Sequence, residues 1–333
     1  MLRERPRGVQ AGGVGPASVN ALLKPGAPLR VGTRASALAV AQSSAVAARF
    51  GPFELITITS EGDRSSTPLA SMGGTGVFVS ALRDALRDGR VDVIVHSFKD
   101  LPTAPADGID LIAVPERADA RDALATRDGI TLARLPHGAR VGTGSPRRRA
   151  QLLSARPDLE VVGIRGNVDT RLGRLYDADD DRRIDGLVLA AAGLERLGRL
   201  GEASELFDLA AWPTAPAQGA LAIEVRSDAA PALRERISAV DDPSTRRAAI
   251  AERGVLSRLE AGCSAPIAAH AALRGADLAL TASVFAPDGS GELTVVQTAP
   301  ADTDAAASDL ADHVAAELLD RGAAQLAPLG AAG

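Results

Sequence analysis

The chain holds one cysteine, Cys263, among its 333 residues. A single thiol excludes an intramolecular disulfide and any cysteine-based zinc site, and it suits a reducing compartment. Lysine is almost as scarce. It occurs only at Lys24 and Lys99, so 35 of the 37 basic residues are arginine. Such a skew reflects base composition before chemistry, which makes a surface arginine weak information and the ammonium kept at Lys99 stronger information. Aromatic residues are 2% of the chain, with one Trp and one Tyr, too few for the stacking platforms that grip single-stranded nucleic acid. The four histidines, His96, His137, His270 and His313, form no pair at helical ligand spacing, so no metal is implied. Apolar runs long enough to span a membrane, about 18 residues, are absent, and residues 1–28 lack the apolar stretch of a signal peptide. Acidic residues outnumber basic ones and leave a net charge of −5, which argues against nucleic-acid or anionic-membrane binding through the overall field. Any basic site must be local.

What is present is an ordinary globular composition, 46% hydrophobic and 24% charged, at a length that suits two or three domains. Residues 1–28 read as a disordered extension rich in Gly and Pro, and the tail from about Ala327 as frayed. Between them, residues 29–33 predict a strand, and Ser36 predicts the cap of a helix over 37–49. Residues 53–59 alternate as a strand, 77–87 have helical spacing, and 91–95 read as a short buried strand. Strands at 111–114, 160–164, 184–190 and 221–225 follow. Apolar strands alternating with helices predict an α/β fold with parallel sheets covered on both faces.

An internal echo refines this. Arg30-Val31-Gly32-Thr33-Arg34-Ala35-Ser36 resembles Arg140-Val141-Gly142-Thr143-Gly144-Ser145-Pro146. Each reads as strand, turn, then a serine opening a helix, which predicts two structurally related domains with a cleft between them. The last hundred residues differ. A helix over 245–259, two strand-like segments over 278–285 and 292–298 with Asp288-Gly289 as hairpin turn, and a helix over 304–319 predict a small α+β domain.

Three turns at the carboxyl ends of strands carry basic residues. Ser145 at the N-cap and Pro146 at the first helical position bring Arg147 and Arg148 to a helix N-terminus, where backbone N–H groups favour an anion. Arg34 beside Ser36 repeats this, and Arg165-Gly166-Asn167 with Arg171 makes the third. Open α/β sheets bind ligands at that edge, and guanidinium forks match carboxylates or phosphates. Alone, each could be a solvated basic face. His96-Ser97-Phe98-Lys99-Asp100 follows a strand at the same edge. It reads either as a surface turn or as an acid, or fixed negative charge, at Asp100 beside a substrate-pairing Lys99. Gly73-Gly74-Thr75-Gly76 lacks the Lys-Ser/Thr ending of a phosphate loop and reads as a flap. Cys263 is either a small buried hydrophobe or, among Gly262, Ser264 and Pro266, an exposed nucleophile.

Taken together these motifs resemble the porphobilinogen deaminase (hydroxymethylbilane synthase) family. The matching pieces are Thr33-Arg34-Ala35-Ser36-Ala37-Leu38-Ala39 with Gln42, Gly73-Gly74-Thr75-Gly76-Val77-Phe78, Val95-His96-Ser97-Phe98-Lys99-Asp100-Leu101-Pro102, Val141-Gly142-Thr143-Gly144-Ser145-Pro146-Arg147-Arg148, Ile164-Arg165-Gly166-Asn167-Val168-Asp169-Thr170-Arg171-Leu172, Gln218-Gly219-Ala220 and Leu259-Glu260-Ala261-Gly262-Cys263. They occur in family order across residues 29–325.

The resemblance implies two domains similar to type II periplasmic binding proteins, 29–115 with 213–236 and 116–212, and a third domain, 237–333, carrying Cys263. It implies a dipyrromethane cofactor bound covalently to Cys263 by a thioether. Four porphobilinogen units are then added head to tail with loss of ammonia, and water releases the linear tetrapyrrole. By the same resemblance Asp100 assists ammonia loss and stabilises a pyrrole cation. Lys99, Ser145, Arg147 and Arg148 hold the cofactor, and Arg34, Ser36, Thr143, Arg165 and Arg171 hold substrate carboxylates. Two cofactor rings and four substrate rings gather on the order of a dozen carboxylates in one cleft, which accounts for concentrated arginine in an acidic chain. The implied enzyme is a cytoplasmic monomer with no nucleic-acid or membrane partner and no metal. The flap departs from the family at Ser71 and Thr75, where many relatives have lysines, and Arg149 is an extra charge. The competing reading is a non-catalytic polyanion-binding or sensing protein on the same two-lobed scaffold, in which Cys263 is incidental.

Overall fold

A computed structural model describes residues 27–59, 76–179, 181–260 and 265–329. Cys263, the glycines at 73 and 74, Ser71, Thr75 and nearly all of the expected N-terminal extension lie outside the described residues.

The first sheet collects β1 (Leu29–Thr33), β2 (Phe53–Thr57), β3 (Val93–Ser97), β4 (Ile109–Ala113) and, from far along the chain, a strand over Leu221–Arg226. The second collects β5 (Asp122–Thr126), β6 (Arg140–Thr143), β7 (Glu160–Gly163), β8 (Gly186–Ala190) and β9 (Glu205–Leu206). Leu221–Arg226 is therefore β10. The sheet orders are β2-β1-β3-β10-β4 and β7-β6-β8-β5-β9. β1 and β6 occupy the same place in their sheets, each parallel to both neighbours. The sequence echo thus marks two lobes of one design, each a five-stranded sheet with the same placement of its first parallel strands, and the expected α/β class holds.

The sheets are mixed, however, where continuous parallel pairing is expected. β10 runs antiparallel to β3 and β4, and β5 antiparallel to β8 and β9. Both are strands that the chain inserts immediately after crossing between lobes, so each enters its sheet from the end opposite to the strands of the local βαβ units. The two crossovers lie side by side, with Ala118 N donating to Gly219 O at 3.3 Å.

Local chemistry fixes the helices. Ser36 accepts from Ala39 N to open α1 (Ala37–Ala47), and α2 (Gly76–Arg87) precedes β3. Ser145 accepts from Arg148 N to open α3 (Pro146–Ala155), with proline at its start. Asn167 caps α4 (Val168–Gly173), and α5 (Ala191–Arg196) follows β8 directly. These side-chain caps satisfy N–H groups that have no partner inside the helix. β3 starts two residues later than the expected 91–95, because Asp92 is used otherwise: its carboxylate accepts from Arg30 N at 2.9 Å and from the Arg30 guanidinium.

After α6 (Pro231–Ser238), the last unit packs α7 (Pro243–Arg258) and α8 (Asp304–Asp320) on one face of an antiparallel sheet, β11 (Ile267–Arg274), β12 (Asp277–Phe285) and β13 (Glu292–Pro300). Leu278, Leu280, Ala282 and Val284 alternate into its core, as the two-residue period of a strand requires. The helices approach closely: a Cβ at Gly254 would stand 2.6 Å from Ala311 Cβ. Of the tail expected to fray from about Ala327, the described residues are docked instead, with Ala327 buried and Leu329 packed on the same core.

Candidate active site

The carboxyl ends of β1, β3, β6 and β7 carry the basic turns. In the first lobe Arg34 and Ser36 follow β1, half-buried. Gln42 on α1 exchanges hydrogen bonds with Ser97 at 3.1 and 3.2 Å, tying that helix to the end of β3. The chain then makes a single 3₁₀ turn, Phe98–Asp100. Arg253 of α7 grips this turn from behind. It donates to the carbonyls of Phe98, Leu101 and Pro102 at 2.7–3.0 Å and lies 4.6 Å from the centre of the Phe98 ring. With Phe98 buried, Lys99 is half-buried and Asp100 exposed. The turn is therefore held from behind while its two charged side chains are presented forward.

In the second lobe Arg147 and Arg148 are only 3% and 6% exposed, which rules out a solvated basic face. Their counter-ion is Asp122, the first residue of β5, itself fully buried. Arg147 Nη1 and Arg148 Nη2 reach opposite oxygens of its carboxylate at 2.8 and 2.7 Å. Trp212 Nε1 and Gln218 Nε2 donate to it as well, at 3.0 and 2.7 Å. Burial pushes the Asp122 carboxyl up, but the charges and hydrogen bonds of the two arginines prevail and hold it well below the usual carboxylate range. Arg147 also bonds Gln151 and Pro213 O, and Arg148 bonds Val188 O. The Nε atoms of both guanidiniums are buried with no hydrogen-bond partner among the described residues. Thr143, at the end of β6, is buried and accepts from Ser145 N at 3.2 Å.

Third, Gly166 adopts φ +104°, where an L side chain is strained, and lets Arg171 Nε close back on its carbonyl at 2.8 Å. Arg165 is exposed and Arg171 half-buried. Burial lowers the Arg171 pKa, the charges of Arg148 and Arg165 lower it further, and Asp100 opposes them. Asp100 of the first lobe therefore lies within electrostatic range of Arg171 of the second.

Lys99 reports the same field. Burial, reinforced by Arg148 and Arg147, pulls its pKa down to about 8, against the opposing pull of Asp100 and Asp122. Lys99, Arg147, Arg148, Arg165 and Arg171 thus share one electrostatic neighbourhood with two carboxylates, Asp100 and Asp122. That surplus of positive charge is local to a chain of net charge −5. Its desolvated cations are poised for ligand carboxylates, which would restore the charge balance. Among the described residues no group of acidic, His or Cys side chains could hold a metal ion.

Two parts of this site were not foreseen. Asp122 lies in an Ala-rich segment with no strand signature, and Gln218 belongs to a quoted motif for which sequence reading supplied no role. Two adjacent arginines at one helix start imply a nearby counter-ion, and that was the available signal. A third element lies at the hinge. Glu252 of α7 is fully buried and accepts from Arg117 at 2.6 and 2.9 Å, from Ala217 N at 2.5 Å and from Ala271 N at 2.7 Å. One carboxylate therefore joins both crossovers to the last unit. From the second lobe, Arg196 reaches Gly219 O at 2.6 Å.

Comparison with known proteins agrees with this architecture. A family model described as porphobilinogen deaminase, dipyromethane cofactor binding domain, matches residues 29–234, and one described as porphobilinogen deaminase, C-terminal domain, matches 247–320. The porphobilinogen deaminase of Leifsonia xyli subsp. xyli is 54% identical over 86% of this chain and 90% of its own length. That of Thermobifida fusca is 52% identical over 81% of this chain and 85% of its own. Among solved structures, a putative methionine-binding lipoprotein of Bacillus subtilis subsp. subtilis is similar at a TM-score of 0.35 and 15% identity, over 66% of this chain and 92% of that one; a likeness of that size carries no argument. From the family models and these relatives, the chain belongs to the porphobilinogen deaminase family.

Proposed function

We propose that Asp100 and the cationic cleft around it carry out the reaction of this family. Four porphobilinogen molecules are joined head to tail with loss of four ammonia molecules, and one water releases hydroxymethylbilane. The chain is thereby a transferase of tetrapyrrole biosynthesis. Each addition breaks the C–N bond to the departing ammonia and forms a C–C bond at a free pyrrole α-carbon, whose proton is lost. The observation that carries the site assignment is that Asp100 shares one turn with Lys99 and lies within electrostatic range of Arg171. A cation developing next to guanidinium and ammonium groups is disfavoured unless a carboxylate stands beside it. Asp100 is that carboxylate, exposed to the cleft.

The residues present fit a dipyrromethane. Its acetate and propionate groups need several desolvated donors, and the buried Nε atoms of Arg147 and Arg148 are such donors. Lys99, Ser145, Arg147 and Arg148 would hold these groups, with the group itself joined through a thioether to Cys263. When bound, it supplies the free α-carbon that accepts the first unit. Arg34, Ser36, Thr143, Arg165 and Arg171 orient incoming carboxylates at the strand ends. We divide the chain accordingly into 29–115 with 213–236, 116–212, and 237–333. No helix among the described residues is long and apolar enough to cross a membrane. A thiol that must stay reduced to take up its primer suits the cytoplasm, and a cleft built from one chain suits a monomer.

The test is turnover of porphobilinogen by wild type and Asp100→Ala. The variant is expected to fold normally and to lose at least about a hundredfold in kcat, the scale of a removed electrostatic stabiliser. Near wild-type turnover would overturn the assignment of Asp100.

A further inference from the structure

Gln218 stands on the second crossover with no exposed surface, between two residues in the left-handed region, Ala217 at φ +60° and Gly219 at φ +87°. A left-handed alanine is costly and persists only where surrounding contacts impose it. Here they do. Ala217 N is held by Glu252, Gly219 O accepts from both Ala118 N and Arg196, and Gln218 O accepts from Arg117 Nε at 2.7 Å. The backbone is thus locked in a shape that drives one side chain inward between the lobes.

Every polar atom of that side chain is used. Nε2 donates to Ala120 O at 2.9 Å and to Asp122 Oδ1 at 2.7 Å. Oε1 accepts from Lys99 Nζ at 3.4 Å and from Arg148 Nη2 at 3.2 Å. Turning the amide over would set its NH₂ against two cations and its oxygen against a carbonyl and a carboxylate, so the network permits one orientation. Lys99 belongs to the first lobe and Arg148 to the second. They repel one another, and burial beside Arg148 lowers the Lys99 pKa. The negative end of the amide dipole between them is what both can approach together.

We propose that Gln218 is a positioning residue that fixes Lys99 against Arg148 across the lobe boundary, and so sets where the primer's carboxylates, and with them its reactive end, lie relative to Asp100. This inference rests on the reading of Lys99 and Arg148 as cofactor-holding residues. It adds a residue that touches neither substrate nor reacting atoms but governs the register between the lobes. Because the primer is covalently held, loss of that register misaligns it without releasing it. The consequence falls on kcat, whereas incoming porphobilinogen, gripped by Arg34 and Arg165, keeps its KM.

The experiment compares Gln218→Leu, near in size but unable to bridge, with wild type and Lys99→Met, each as full-length primer-loaded protein. Hydrogen bonds to charged groups are worth roughly a factor of ten or more each. Gln218→Leu is therefore expected to retain the primer, read by intact mass, while losing about tenfold or more in kcat per folded, loaded molecule, with KM for porphobilinogen within about threefold. If the leucine variant does not fold, Gln218→Asn, which keeps the amide but is too short to reach both cations, is held to the same criterion. A kcat within about threefold of wild type, or kcat and KM shifting together, overturns the proposal in favour of a packing role. Loss of turnover in Lys99→Met with none in the Gln218 variants removes this inference and leaves the cleft assignment intact. Full turnover in Lys99→Met removes the cleft assignment itself.

Discussion

Replacing Glu252 by glutamine tests the hinge most severely. The carboxylate is fully buried, and each of its oxygens accepts from two donors: Oε1 from Arg117 Nη1 and Ala271 N, Oε2 from Arg117 Nη2 and Ala217 N. Glutamine keeps the volume, yet whichever way its amide turns, its NH₂ must face a guanidinium N–H and a backbone N–H. Arg117, with side-chain exposure of 12%, is left with no anion. Breaking a buried pair from one side costs about 3–5 kcal/mol. At about 2–4 °C per kcal/mol for a unit of this size, the melting temperature at pH 7 should fall by roughly 6–20 °C. The pH dependence is a second, independent readout. Burial pushes Glu252 up, but Arg117 and His270 outweigh it and bring its pKa to about 2. A folded pKa below the unfolded value means stability that is complete above about pH 4.3 and lost as pH falls toward 2. Wild type and Glu252→Gln should therefore converge as the pH is lowered through that window. Calorimetric or circular-dichroism melts between pH 7 and pH 2.5 measure both effects. A variant melting within about 2 °C of wild type at pH 7, or a gap that stays constant in acid, would refute the assignment of Glu252 as the tie between crossovers and last unit.

Two further outcomes follow from the same geometry. Because Lys99 has a pKa of about 8 in the free cleft, it is charged below that pH and loses its hold on carboxylates above it. The rate at which unloaded protein takes up preassembled primer should fall on the alkaline side by up to about tenfold per pH unit. In Lys99→Arg, whose charge does not titrate, that limb should flatten, and a wild-type profile flat from pH 7.5 to 9.5 would contradict it. At Gly219 a Cβ would meet Ala118 O at 2.5 Å with φ at +87°, so Gly219→Ala strains the backbone and forces the crossovers apart. A loss of about 2 kcal/mol or more is expected in urea unfolding, and an unchanged midpoint would contradict the tight pairing of the crossovers.

Much of this architecture can be read from residue order, and the reasons for the rest are physical. Ser36 and Ser145 announce helix starts because a hydroxyl before a helical run has one good use, and both caps stand as expected. The echo of β1 in β6 survives because equivalent strands need the same small residues: a Cβ at Gly32 or Gly142 would stand 2.8 Å from an isoleucine side chain. β5 and β11 escape notice since both are Ala-rich and lack β-branched alternation, and tertiary burial rather than propensity makes them strands. The cationic turns are legible because each follows a strand. Their pairing across the cleft is not, since Asp122, Gln218 and Glu252 act through contacts 19 to 135 residues distant in sequence. Nothing in a linear pattern distinguishes one buried carboxylate among 42 acidic residues.

The central claim is a primer tethered to Cys263 in a cleft whose guanidinium groups neutralise a lengthening polycarboxylate. Intact-mass spectrometry of protein purified from cells that make porphobilinogen measures it most directly. The account predicts a mass exceeding that of the bare chain by two linked pyrrole units, with the excess gone in Cys263→Ala. A wild-type chain of unmodified mass, or an adduct that persists in Cys263→Ala, would contradict it.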